Sequence, residues 1–329
     1  MRRGAGNQAA RVSPDRRTRF ALGALAASLL ALTSLGADRA AAQGATNGVG
    51  ANLNISPKRV TFDRADRSAT IYVFNQGNAP GTFDVTLVDR VMLPDGQIIP
   101  LSDAEGKPED KPYVDRLKSA QSMLVVTPRR VTLQPGKGQT IRIRASTGAA
   151  GAAGAAAGAP AAGEYRTHLT VATIPPRDAG LTAEQAADPT NQELRFQINS
   201  VFGLSIPVVL RVGPPDVRGV IESAKYAMMT VSADGVAPPK PTPVVTFDLV
   251  RQGPNSLFGN LEVRSLKDRP NATPLAAARG LGVYPEIDRR QVQMFLSRPP
   301  APGDQLEVSF RADDTSPGRL VAKTTLTVQ

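Results

Sequence analysis

The residue types that carry most enzymatic and metal chemistry are nearly absent from this chain of 329 residues. It contains no cysteine and a single histidine, His168. Without thiolates, a disulfide, an iron–sulfur cluster or a thiol nucleophile cannot form, and one histidine leaves no pair for a catalytic metal. We therefore predict that the protein uses neither metal nor redox chemistry.

Neighbouring carboxylates are the remaining candidates for acid–base chemistry. Asp103 lies two residues before Glu105, and Asp313 directly precedes Asp314. Glycosidases place two carboxylates around the bond they cleave, but adjacent acids in turns are usually solvated, so both pairs are predicted to lie on the surface. His168 is predicted to be a surface residue of a strand. The sequence thus predicts no catalytic residues, no cofactor and no enzyme.

The first 42 residues have the organisation of a secretory signal peptide. Six arginines precede the uncharged run 20–36, and the small residues Ala40, Ala41 and Ala42 predict cleavage after Ala42. A retained membrane anchor is the alternative, because the run is at the lower length limit of a spanning helix. Cleavage leaves 32 basic and 27 acidic residues, so the net charge falls from +10 to +5. This loss removes the main support for nucleic-acid binding.

From Leu53 onward, short segments of alternating apolar and polar residues are separated by turns, which predicts an all-β protein. The segments 82–87 and 140–144 alternate most clearly, so each is expected to bury one face and expose the other. Two insertions are predicted, an Ala/Gly-rich loop at 147–163 and a polar loop at 177–192. The candidate strands of this half are 52–55, 59–62, 68–74, 81–89, 123–126, 130–133, 139–145 and 166–173.

The longest alternation follows the second loop and runs from 194 to 210. Its apolar face is interrupted by one serine and consists of Leu194, Phe196, Ile198, Ser200, Phe202, Leu204, Ile206, Val208 and Leu210. Strands usually contain about five or six residues, so this one extends past its sheet or bends between two sheets. Gly203 and Pro207 are tolerated best at an edge or a bulge. Two interpretations stay open: a bent core strand, or an exposed edge that pairs with another protein.

A stiff linker is predicted at 212–216, because two adjacent prolines there prevent strand pairing. Eight further candidate strands predict a second sandwich; they are 217–222, 226–231, 244–251, 258–266, 279–285, 291–296, 305–312 and 319–328. The predicted organisation is a signal peptide at 1–42, an N-terminal domain at 43–213 and a C-terminal domain at 214–329.

Four stretches make the chain resemble the periplasmic pilus-assembly chaperones of the PapD-like family. They are Ser-Pro-Lys-Arg-Val-Thr-Phe-Asp at 56–63, Val-Thr-Pro-Arg-Arg-Val-Thr-Leu-Gln-Pro-Gly at 126–136 with Ile-Arg-Ile at 141–143, the segment 164–176 that ends in Ile-Pro-Pro, and 204–211. Arg129 stands where the family usually has a second proline. The resemblance covers 52–213 well and the rest by size and strand content. It implies two immunoglobulin-like β-sandwich domains in an L-shaped arrangement.

The resemblance also implies roles for individual residues. Arg59 matches the arginine that binds the C-terminal carboxylate of a subunit, a task suited to a planar guanidinium. The partner lysine of that site falls on Pro207, which indicates a divergent branch. Glu164 and Arg211 match two members of an interdomain charge network. The side chains of the donor strand correspond to Leu194, Phe196, Ile198, Ser200, Phe202, Leu204 and Ile206.

The implied function is that of a periplasmic chaperone. A pilin is a sandwich that lacks one strand, and the chaperone supplies that strand, by donor-strand complementation, before an outer-membrane usher receives the subunit. The implied partners are pilin or coat-type subunits and the usher, with no nucleic acid and no membrane span after cleavage. The alternative is a secreted two-domain adhesin or structural protein whose loops bind sugar or protein.

Overall fold

Two hydrophobic cores organise the chain. The computed structural model describes residues 52–146, 160–174, 201–232, 238–269, 271–314 and 316–329. The predicted signal peptide, residues 147–159 of the first predicted loop and the whole of the second lie outside these ranges. The first core draws its side chains from Ile55 to Leu210, and the second from Val217 to Val328 together with Met92.

The elements up to the first core's last strand follow one another in this order. They are β1 (Leu53–Ser56), β2 (Val60–Phe62), β3 (Ser68–Asn75), β4 (Gly81–Val88), β5 (Arg90–Met92), β6 (Ile98–Pro100), α1 (Leu101–Glu105), a 3₁₀ turn (Pro108–Asp110), α2 (Lys111–Val114), a second 3₁₀ turn (Gln121–Met123), β7 (Leu124–Thr127), β8 (Arg130–Leu133), β9 (Gly138–Ala145), β10 (Gly163–Thr173) and β11 (Gly203–Val212). Every candidate strand of this half before 194 is confirmed to within a few residues.

The first sandwich packs a four-stranded sheet, in the order β1-β3-β9-β7, against a five-stranded sheet, in the order β2-β11-β10-β4-β8. Alternation decides which side chains meet between them. Ile71 and Val73 of β3 and Ile141 and Ile143 of β9 are fully buried in the first core, and the residues between them point outward. The pairing of β2 with β11 is parallel, whereas the other pairings of this sandwich are antiparallel.

The second sandwich contains β12 (Gly219–Val231), β13 (Lys240–Arg251), β14 (Leu257–Ser265), β15 (Ala276–Val283), β16 (Arg289–Phe295), β17 (Gln305–Ala312) and β18 (Leu320–Thr327). Its sheets have the orders β12-β13-β16 and β15-β14-β17-β18. Two strands predicted separately, 217–222 and 226–231, are one strand, β12. The interruption in their alternation is a bulge between Glu222 and Lys225, where Ser223 adopts a φ of 55°.

Residues 90–116 form a segment that the sequence analysis did not foresee, and we call it the strap. It leaves the first sandwich after β4, contains the β5–β6 hairpin, α1 and α2, and packs on the second sandwich. Met92 is 1% exposed within the second core, and Ile98 and Tyr113 pack against that core. Arg116 donates two hydrogen bonds to the carboxylate of Asp288. The strap therefore ties the two sandwiches together.

The prediction of an all-β protein built from two sandwiches is confirmed. The few helical turns belong to the strap or to the approach to β7. No helix within the described ranges is long and apolar enough to cross a bilayer.

Candidate functional site

The outer edge of β11 is the first candidate site. β11 pairs along its whole length with β10 on one side, but on the other side β2 covers only Val208–Leu210. The amide of Thr173 donates to the carbonyl of Phe202, which fixes which backbone groups point toward β10. Because these groups alternate along a strand, the N–H and C=O groups of Gly203 and Ser205 point to the uncovered side. No backbone partner is described for them there.

Exposed apolar side chains precede this edge. Val201 is 63% exposed and Phe202 is 66% exposed, the two highest values among the large exposed apolar residues described. The amide of Phe202 donates to the side-chain hydroxyl of Thr173 at 2.9 Å, so its backbone is held while its ring faces solvent. Four of the predicted donor residues, Leu194, Phe196, Ile198 and Ser200, lie outside the described residues.

The last two predicted donor residues point inward. Ile206 is 3% exposed and belongs to the first core, and Leu204 packs partly against the same core. In this arrangement both side chains pack in the chain's own sandwich, and their role as donor residues stays a prediction. Of the predicted donor side chains that the structure describes, Phe202 alone faces solvent.

The second candidate site is a layer of buried charge between the two sandwiches. Glu164 and Arg211 face each other on β10 and β11, with Arg211 Nε 2.9 Å from Glu164 Oε2. Arg211 also donates to Asp314 of the second sandwich at 2.9 Å, and the amide of Ser256 donates to Glu164. Burial opposes the charge of Arg211, but Glu164 and Asp314 outweigh it and raise its pKa.

Arg59 joins the same layer. Its Nη2 lies 3.2 Å from Asp314 Oδ2, its Nη1 donates to the hydroxyl of Tyr284, and its guanidinium stacks 4.3 Å from the ring centroid of Phe258. The side chain of Arg59 is only 7% exposed and that of Asp314 only 9%. The anion beside Arg59 is thus a residue of the chain itself. In this arrangement the guanidinium of Arg59 is already occupied by Asp314 and Tyr284.

A second buried ion pair lies next to the first. Arg166, on β10, pairs with Glu286 at 2.8 Å, and both side chains are 2% exposed. Arg166 also donates to the carbonyl of Arg90 in the strap and stacks 4.2 Å from the ring of Tyr284. Burial raises the pKa of Glu286, although the charge of Arg166 opposes the rise. This pair therefore links β10, the strap and the second sandwich.

His168 lies within this layer and not on the surface, so its predicted position is wrong. It is 2% exposed and pairs across the strands with Pro207. Burial, reinforced by the charge of Arg166, lowers the pKa of His168 to about 2, so the ring is neutral. His168 occupies an outward position of β10, but the second sandwich and the strap cover that face.

Asp314 is the functional-site residue that the sequence analysis missed. It was predicted to be a solvated turn residue together with Asp313, and only Asp313 is exposed. Nothing in its sequence context distinguishes it, because the two arginines that pair with it come from β11 and from the residue before β2. Among the residues that the structure describes, no three acidic or histidine side chains are grouped to hold a metal ion.

Comparison with known proteins finds similar proteins by structure only. No family profile and no curated protein matches the chain. The CupB2 chaperone of Pseudomonas aeruginosa shares 12% identity at a TM-score of 0.38, covering 84% of this chain and 100% of that chain. The YadV chaperone shares 12% identity at a TM-score of 0.37, covering 83% and 99%.

A third similar structure is the complex of CsuC with the tip adhesion subunit CsuE, from the archaic chaperone-usher Csu pili of Acinetobacter baumannii. It shares 9% identity at a TM-score of 0.36 and covers 84% of this chain and 98% of that chain. These are structures to which the chain is similar.

Proposed function

We propose that this chain is an exported, non-enzymatic chaperone that works in the periplasm after cleavage of its signal peptide behind Ala42. It binds pilin-like subunits by donor-strand complementation and hands them to an outer-membrane usher. The proposal keeps the division into domains at 43–213 and 214–329. The partner class and the usher come from the sequence motifs that resemble the pilus-assembly chaperones.

The observation that carries the proposal is the uncovered edge of β11. An incomplete sandwich needs two things from a chaperone: backbone groups to pair with its open edge, and apolar side chains to fill its groove. Gly203 and Ser205 offer the backbone groups, and Val201 and Phe202 offer exposed apolar side chains at the same end of the strand. In the sequence, the predicted apolar alternation continues through 194–200, directly before this edge.

Pro207 fits the same edge. By the alternation along β11, its nitrogen points to the uncovered side, where a proline removes no hydrogen bond from the ladder with β10. An added strand can therefore accept hydrogen bonds from the N–H groups of Gly203 and Ser205, but none from Pro207, which has no N–H. This limits pairing with a subunit to the part of the edge that lies before Pro207.

The buried charge layer supports the proposal in a different way. An exposed pair would contribute little, but here Arg59, Arg211 and Asp314 are almost fully buried between the sandwiches. We propose that they fix the orientation of the second sandwich relative to β11. Arg59 contacts a subunit carboxylate in this proposal only after Asp314 releases it.

The test compares two exposed phenylalanines. The chain is produced in the periplasm of a Gram-negative host together with the small β-rich secreted protein encoded beside it. Phe202→Arg puts a charge where the proposal requires an apolar anchor, so we expect about tenfold or more loss of recovered subunit, given about 1.5–3 kcal/mol for burying one phenylalanine. Phe295→Arg, at a residue 49% exposed on β16, is the matched control and should leave recovery unchanged.

Equal recovery of the subunit with wild type and Phe202→Arg would contradict the proposal. Equal loss with both variants would also contradict it, because the effect would then not be specific to β11. An adhesin would be recovered alone, without a stoichiometric small subunit, and its binding would not depend on Phe202.

A further inference from the structure

The outer face of the sheet β1-β3-β9-β7 is an open surface without acidic residues. Its inward residues, such as Ile71 and Ile141, fill the first core, so the residues between them face solvent. This outward face carries two arginines, Arg142 and Arg144, and two aromatic rings, Tyr72 and Phe74. Its other positions are Ser, Thr, Asn, Val and Gly, with no Asp or Glu among them.

The two arginines are available to a ligand. Both side chains are exposed, and neither guanidinium has a hydrogen bond or an ion pair among the residues that the structure describes. By contrast, the exposed Arg130 on the other sheet is paired with Asp84 at 2.7 Å. Arg142 and Arg144 are two residues apart on one strand, which spaces their Cα atoms by about 7 Å. The segment 147–159 that follows carries no charge that could neutralise them.

Tyr72 adds a flat aromatic platform on the same face, on the side of Thr140 that is away from the two arginines. Its ring leans across β9 over Gly138, where an added Cβ would lie only 2.3 Å from the ring atom Cζ. One face of the ring thus rests on the sheet, and the side chain is 48% exposed. Phe74 lies next to it with a centroid distance of 6.3 Å and an interplanar angle of 25°. The register places Tyr72 opposite Thr140, one outward position from Arg142.

We propose that this face binds an anionic polysaccharide, that is, a chain of sugars bearing carboxylate or sulfate groups. Guanidinium groups pair with such anions through charge-assisted hydrogen bonds. The C–H face of a sugar ring stacks on an exposed aromatic face such as that of Tyr72, and the neighbouring Thr70 and Thr140 can bond to sugar hydroxyls. Electrostatic complementarity selects an anion, because no carboxylate of the face repels it.

The proposed site does not compete with the edge of β11. An added peptide strand needs unpaired backbone groups, but the inner strands of this face, β3 and β9, are paired on both sides. The opposite sheet of the sandwich carries β11, and the part of its outer face around Arg166 and Arg211 meets the second sandwich. The glycan site and the subunit site therefore lie on different surfaces of the first sandwich and can be occupied together.

The experiment titrates the mature chain with alginate oligosaccharides and with heparin, using neutral dextran as the uncharged probe, at several ionic strengths. We expect both anionic chains to bind and dextran not to bind. The double variant Arg142→Gln/Arg144→Gln should lower the affinity about tenfold or more. It should also reduce the slope of log affinity against log salt concentration by about two, because two fewer counterions are released on binding. Tyr72→Leu should lower the affinity severalfold without changing the salt dependence.

Arg279→Gln is the matched control, because Arg279 is an exposed arginine on β15 with no ion pair among the described residues. It should bind like wild type, and all variants should keep the far-ultraviolet dichroism of the wild type. The proposal is overturned if neither anionic chain binds, if the control loses as much affinity as the arginine pair, or if a single-stranded DNA oligonucleotide binds more tightly than both glycans.

Discussion

At the scale of single residues, charges buried between the two sandwiches are the main finding. Asp314 contacts both Arg59 and Arg211, and Glu164 balances the second of these arginines. Replacing a whole buried ion pair by apolar residues is often neutral, but removing one partner leaves a buried charge without compensation. Each residue of this buried charge layer is therefore needed for stability, because its removal would leave a partner charge buried and uncompensated.

Asp314→Asn tests this dependence. The variant leaves one excess positive charge between the sandwiches, so we expect the free energy of unfolding to fall by about 3–5 kcal/mol, measured by urea denaturation. Asp313→Asn, at the exposed neighbour, should change it by less than about 0.5 kcal/mol. Equal effects of the two substitutions would show that the contacts of Asp314 with Arg59 and Arg211 do not contribute to the free energy of unfolding.

The single histidine gives a second test at this scale. The pKa of His168 is lowered to about 2 in the folded protein and is ordinary in the unfolded chain, so protons bind preferentially to the unfolded state below about pH 6.5. Stability from this residue is present above that pH and is lost as the pH falls. Between about pH 7.5 and pH 5 the loss should be about 2 kcal/mol.

The variant His168→Gln isolates this contribution, because the chain has no other histidine. The pKa of Glu286 is raised by burial, so its contribution to stability increases as the pH falls, opposite to that of His168. This contribution is the same in wild type and variant and therefore cancels in the difference. The difference in unfolding free energy between wild type and variant should therefore shrink or reverse as the pH is lowered. A difference that stays constant over this range would contradict the burial of a neutral imidazole.

At the scale of elements, the strap decides how the two sandwiches are connected. It is inserted between β4 and β7 of the first sandwich, yet Met92 belongs to the second core, and the amide of Tyr284 donates to the Met92 sulfur. The amide of Gln291 on β16 donates to the carbonyl of Pro94 at the tip of the hairpin. The strap thus also covers part of an edge strand that would otherwise be open.

Met92→Ala should destabilise the second sandwich by about 2–5 kcal/mol, because it opens a cavity in that core. Hydrogen exchange of the amides of β13 and β14 measures the effect locally. Met228→Ala, at a methionine 51% exposed on β12, is the control and should leave this exchange nearly unchanged. If Met92→Ala accelerates exchange only in the first sandwich, the assignment of the strap to the second core is wrong.

At the scale of the whole molecule, the local parts of the structure were predictable and the contact between the sandwiches was not. Alternation reports which face of a strand is apolar, and it predicted the strands of both sandwiches, including the buried and exposed faces of 82–87 in β4 and 140–144 in β9. It does not report what covers an outward face. Arg142 and Arg144 on β9 show the same pattern as Arg166 and His168 on β10, yet the first two are exposed and the last two are buried.

The residues of the candidate site were likewise only partly predictable from the sequence. Motif resemblance picked out Arg59, Glu164 and Arg211 because each lies in a recognisable stretch of the first sandwich. Asp314 and Glu286 could not be found, because their partners are distant in sequence and the second sandwich offers no motif. The strap was missed for a further reason. Its strands and helices are too short to show the hydrophobic period of a helix, about 3.6 residues, or of a strand, about 2 residues.

The strap also limits how this protein can be recombined with others. A sequence boundary at 213/214 divides the strands cleanly, but it does not divide the packing, because the second core includes a side chain from residue 92. Exchange of the second sandwich by fusion at the linker would leave the strap facing a foreign surface. The unit that can be transferred intact is therefore the pair of sandwiches. A change in the strap requires a matching change in the sheet of the second sandwich that it covers.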